Sequence, residues 1–382
     1  MRKEDYDRLA ATYSGSDPDA NEAEYLKALG SWSPSWRALF GAVFADLDPT
    51  RLGVGWWEHH LDTPRRILIS DQLVVCLQSV AHNMNEARLH ALELHAASDT
   101  ATALASKRFR GGPRKPLPPA TAPLEIAELE VGVHLGGFLR AVGSVLDCLA
   151  AVIIGVAAIP KPIFRADFKV LTEKYFSKVP TRLPSGTRTL HLELGSDLQA
   201  RIAAVGPKNW LTWALEFRNM LVHRGRHITR KYVQANESPI VTSTGEATFT
   251  AKVIHLLPID PGRAEVEVFR DAPHHALMLT EDAATTVEGI SASTLALLEG
   301  TCRKLLEIWM ARRSTPDLHP QPMQQWPDVN PSPMANFGGY APESVPVKFQ
   351  QIHTGGIVMR RLQSAAVLDA ERHHWDSAAK EQ

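Results

Sequence analysis

Between Ala141 and Ile159 the chain runs with little polar relief and then meets Pro160. A helix that is apolar nearly all round its circumference cannot lie on a wet surface. Two environments accept it: a lipid bilayer or the centre of a helical bundle. The stretch is long enough to span a bilayer. Yet Asp147 lies near its middle, Ser144 and two glycines interrupt it, and Arg140 precedes it. One charge near the centre of a span costs about 3 kcal/mol. The bundle centre is therefore the expected setting, with no membrane partner.

The rest of the pattern fits a bundle. From residue 65 to 97, Ile69, Leu73, Leu77, Val80, Met84, Ala87, Ala91 and Leu94 recur at three- and four-residue steps, which predicts a long helix. Residues 98–123, small, basic and proline-rich toward the end, read as an exposed loop. A second helix is expected over 124–158, followed by short elements over 160–195. A third helical region covers 196–228, broken at Gly206-Pro207, so that its second part carries Trp210, Trp213, Phe217 and Met220 on one stripe. The period then changes. Residues 247–257 and 264–269 alternate around Pro258-Ile259-Asp260-Pro261-Gly262, which predicts a hairpin insert at about 247–270. A closing helix runs over about 281–313. The expected fold is mainly α, an antiparallel helical bundle with an inserted β-hairpin. Residues 1–64 read as an N-terminal accessory segment, 65–313 as the bundle, and 314–382 as a C-terminal tail.

Charge and cysteines narrow the setting. The 382 residues carry a formal net charge of −1, so any attraction to nucleic acid must come from a local patch. Cys76, Cys148 and Cys302 lie far apart in apolar contexts, which reads as free thiols in a reducing cytoplasm. The charged N-terminus has no apolar segment of the secretory kind. His59-His60, His274-His275 and His373-His374 lack metal-ligand spacing, and no glycine pattern cradles phosphates. No metal or cofactor is expected.

Chemistry concentrates in Glu216-Phe217-Arg218-Asn219-Met220-Leu221-Val222-His223. Arginine offers a planar fork of donors to phosphate, and histidine moves protons near neutral pH. On a helix Asn219 and His223 share a face, whereas Arg218 lies about 140° from His223. One copy of the motif is thus an awkward site, which a second helix or a second copy of the same helix would complete. Arg224, Arg226, His227, Arg230 and Lys231 follow and form a local basic block suited to an RNA backbone. A plainer reading stands beside this one: Arg218 and His223 meet the negative end of the helix dipole, with Gly225 ending the helix.

Arg218-Asn219-x-x-x-His223 on the third main helix of an α-bundle resembles the signature of HEPN domains. The helix Gly137–Asp147, with Arg140 and Asp147, resembles their core helix. The resemblance covers about 65–313. It implies a metal-independent ribonuclease, often a toxin or anti-phage effector with an antitoxin or other partner protein. Arg218 would hold the scissile phosphate, His223 would transfer protons as a 2′-hydroxyl attacks, and Asn219 would orient the histidine or the phosphate. The product would be a cyclic phosphate, and the protein would act as a homodimer. A non-catalytic HEPN-like protein that binds RNA or nucleotide, or acts as a scaffold, is the alternative.

Overall fold

The computed structural model describes residues 31–46, 63–108, 121–224, 230–235, 240–241, 247–248, 251–262, 277–314 and 339–340. The protein is mainly α-helical with a small antiparallel β component. In chain order come α1 (Pro34–Asp46), α2 (Thr63–Arg108) and α3 (Ala122–Val156). Short 3-10 and π turns lie between Ile163 and Lys178, followed by α4 (Ser185–Ala204) and α5 (Trp210–Arg224). Strands β1 (Arg230–Ala235), β2 (Ile240–Val241), β3 (Ala247–Thr248), β4 (Ala251–Pro258) and β5 (Met278–Asp282) precede α6 (Ala283–Ser314).

The chain forms two compact units that interleave in sequence. The first holds Ser79–Cys148 and Gly195–Thr301; the second holds Arg2–Gln78, Leu149–Leu194 and Cys302–Gln382. Helices α2, α3, α4 and α6 each contribute residues to both.

The second unit is built around α1 and the C-terminal end of α3. Ser33 caps α1 by accepting a hydrogen bond from the Trp36 N–H at 3.0 Å, and Pro34 suits the first helical position. Trp36, Leu39 and Val43 are fully buried, each contributing about 1.5–3 kcal/mol of apolar burial. The described part of the segment expected to be accessory is therefore built into a core. The Trp36 indole donates to the Leu77 carbonyl at 3.0 Å, and the Trp309 indole donates to Asp46 at 2.8 Å.

Helix α3 ends with Ala158 in the left-handed region (φ 50°) and an Ile159 N–H bonded to the Ile154 carbonyl at 3.0 Å. That is a Schellman-type stop without its usual glycine. Its last carbonyls are buried and met by side chains. Arg312 donates to Gly155 and Val156 at 3.0 and 2.6 Å. His191 Nε2 donates to Ala157 at 2.8 Å, and its Nδ1 accepts the Tyr175 hydroxyl at 2.7 Å.

In the first unit β4 is the middle strand of a three-stranded sheet, paired antiparallel with β1 and β5. Ala251, Val253, His255 and Leu257 alternate inward. The expected hairpin partner, 264–269, lies outside the described residues, and the observed partners of β4 come from further away in sequence. Helix α2 also reaches β4: the Ser106 hydroxyl donates to the Ala251 carbonyl at 2.7 Å and accepts from its N–H at 3.0 Å, and Thr102 accepts from the Val253 N–H at 3.2 Å.

Two helix boundaries depart from expectation. α2 continues to Arg108 through the stretch read as loop, because Ala97, Ala101 and Ala105 bury a stripe of small, strongly helix-forming residues. α4 begins at Ser185, within a region read as short elements. Its inward positions include Thr187 and His191, which carry no hydrophobic signal.

Among the described residues one helix, α3, is long and apolar enough to cross a membrane. Of its most apolar window, 78% is buried inside the protein.

Candidate functional site

Helix α5 carries the motif. Gly206 and Pro207 fall in the turn before it, and Asn209 takes a left-handed backbone (φ 66°), which asparagine tolerates better than most residues. Trp210, Ala214, Phe217 and Met220 are buried at three- and four-residue steps and set the helix's rotation. Two indoles fix its place: Trp210 donates to the Ile202 carbonyl at 3.0 Å, and Trp213 donates to Pro258 at 2.9 Å.

That rotation lays Arg218 across α3. A Cβ at Gly143 would stand 2.9 Å from Arg218 Nε and 3.3 Å from two of its methylene carbons, so the guanidinium stem lies directly on the glycine. Arg218 Nη2 reaches Asp147 Oδ2 at 3.5 Å, and Nη1 donates to Asn219 Oδ1 at 3.2 Å. Both members of the Arg218–Asp147 pair are about one-third exposed (30% and 35%). Arg218 Nε is buried and has no hydrogen-bond partner. A buried donor without an acceptor costs about 1–3 kcal/mol.

Asn219 thus sits beside the arginine and shares its fork. His223 occupies the last full turn of α5, one turn beyond Asn219. Arg224 ends the helix, and the described chain resumes at Arg230 and Lys231, the first residues of β1, opposite Leu256 and His255. Arg226 and His227 lie outside the described residues. The structure brings Arg218, Asn219 and Asp147 together.

Gly143 has a signal in the sequence that the motif alone does not reveal: a glycine four residues before an aspartate, on one face of an otherwise apolar helix.

No family model, no curated protein and no solved structure matches this chain. Among the described residues no group of three or more His, Cys, Asp or Glu is arranged to hold a metal ion.

Proposed function

We propose that the protein is a HEPN-like, metal-independent ribonuclease, acting as a cytoplasmic homodimer in which two copies of α5 complete one site. Arg218 holds the scissile phosphate, His223 transfers protons, and Asn219 keeps the guanidinium oriented. Arg224, Arg226, His227, Arg230 and Lys231 bind the RNA backbone. A toxin or anti-phage role, with an antitoxin or defence partner, belongs to the same proposal. What supports it is the state of Arg218: its stem seated on Gly143, its side chain partly exposed, and its fork held by Asn219.

One observation favours the non-catalytic alternative. Asp147 already approaches the guanidinium, and a carboxylate there competes with phosphate for the same donors. The experiment is incubation of purified wild type, Arg218→Ala and His223→Ala with RNA in EDTA. Wild type should cut RNA to fragments ending in cyclic phosphate, and both variants should lose about 10² to 10⁴ in rate. Equal cleavage by His223→Ala would end the catalytic assignment. Wild-type RNA binding without cleavage would establish the alternative.

A further inference from the structure

A second pair of side chains, outside the motif, brings two metal-ligating atoms together. His90 of α2 and His134 of α3 face each other with their Nδ1 atoms 3.1 Å apart. The ring planes are inclined at 50° and the centroids are 5.4 Å apart. Both rings are partly buried, and both residues belong to the first compact unit.

Two neutral imidazole nitrogens at this distance share a single proton, one donating and the other accepting. The far nitrogen of His90, Nε2, stands 3.8 Å from Glu86 Oε1, one turn back on α2. That carboxylate favours the proton on Nε2 and leaves Nδ1 as a lone pair. His134 then donates the shared proton. At 3.8 Å the Glu86 carboxylate acts on the ring by charge, beyond hydrogen-bond reach. Gly137 holds the ring in place: a Cβ there would collide with Cε1 and Nε2 of His90. The α3 backbone can meet the ring edge only because residue 137 has no side chain.

We propose that His90 and His134 form an open seat for one divalent transition ion of the imidazole-preferring class, Cu(II), Ni(II) or Zn(II). The ion replaces the shared proton. Metal–nitrogen bonds of about 2.0–2.1 Å at a tetrahedral angle set the two nitrogens roughly 3.3 Å apart, close to the spacing already present. Small rotations of the rings aim both lone pairs at a point beside the line between them. His134 carries its single proton on Nε2 instead of Nδ1, so no proton is lost overall. Water or an exogenous ligand fills the remaining positions, since no third protein ligand joins the pair among the described residues. Arg140 bears on His90 electrostatically and opposes a cation, which keeps the seat weaker than a closed four-ligand site.

An ion here ties α2 to α3 and stabilises the folded chain by linkage. The test uses the full chain, stripped with EDTA and dialysed, then titrated with Cu(II) and separately with Zn(II). Wild type should bind Cu(II) with a nitrogen-coupled paramagnetic resonance signal from two imidazoles, and either ion should raise its melting temperature. His134→Asn and His90→Gln, checked for unchanged helical circular dichroism, should each lose the two-nitrogen signal and the thermal shift. A wild type that melts identically with and without either ion overturns the proposal. So does a variant that retains both signals, because the ion would then sit on other histidines. Variants that change stability in acid while wild type ignores metal would leave the pair a proton-sharing staple, and the metal seat would fall.

Discussion

Arg218 shows how one side chain depends on a residue with none. Gly143 gives the guanidinium stem its path to Asp147, so Gly143→Ala separates site from fold. Alanine favours the helix over glycine by about 1 kcal/mol, while its Cβ would stand 2.9 Å from Nε and push the arginine away. The helix gain and the displaced arginine stem oppose each other, so the expected outcome is a melting temperature close to that of wild type. On the proposed ribonuclease function, RNA cleavage should fall by about 10²-fold, the cost of a misplacement of roughly 1 Å. A gel assay beside a thermal melt reads both. His191 gives a pH prediction. Burial first, and Arg312 beside it, hold its pKa below the ordinary 6.5 against the opposing pull of the Ala157 hydrogen bond. The unfolded chain takes up a proton as pH drops through about 6.5, and the folded chain resists. Its contribution to stability is therefore complete above that pH and is lost as pH falls below it. Urea midpoints should drop from pH 7.5 to pH 5, and His191→Gln should flatten the slope. The slope should not vanish, because burial also lowers His82 and His90.

At the scale of elements, the end of α3 is the most exacting join. A helix leaves its final carbonyls without intrahelical partners, and here they are buried and taken by Arg312 and His191. Arg312→Met keeps much of the volume and removes the donors to Gly155 and Val156. The expected loss is about 2–4 kcal/mol, measured as a fall in the urea midpoint. Arg312→Lys should recover only part of it, since an ammonium lacks the planar fork. The same region shows what periodicity reads and what it misses. Long apolar spacing announced α2, α3, α5 and α6. It missed the start of α4 because the inward positions there are Thr187 and His191, polar groups made acceptable by partners such as Tyr175. It took the end of α2 for loop because the small residues there run straight into the basic, proline-rich stretch after Arg108.

At the scale of the molecule, α2, α3, α4 and α6 pass residue by residue from one compact unit to the other. Helix formation is cooperative along a continuous backbone, so the described parts should unfold together. Calorimetry should give a single transition whose calorimetric and van't Hoff enthalpies agree. Arg312→Met, placed in the second unit, should lower the hydrogen-exchange protection of α5 in the first. Two separable transitions, or protection of α5 left unchanged, would show that the units fold independently.

By itself the sequence determined what is local: which stretches are helical, that α3 must be buried, where the chain breaks before α5, and that Arg218, Asn219 and His223 ride on one helix. Those properties follow from spacing of three to four residues, and spacing is visible in one dimension. The tertiary structure alone decided the partners: Gly143 and Asp147 beneath Arg218, hydroxyls of α2 along the edge of β4, His134 against His90, and a histidine at a core position of α4. Each pairs residues that are distant in sequence, and such pairs are selected by complementary shape and charge after the helices pack. No periodicity records them.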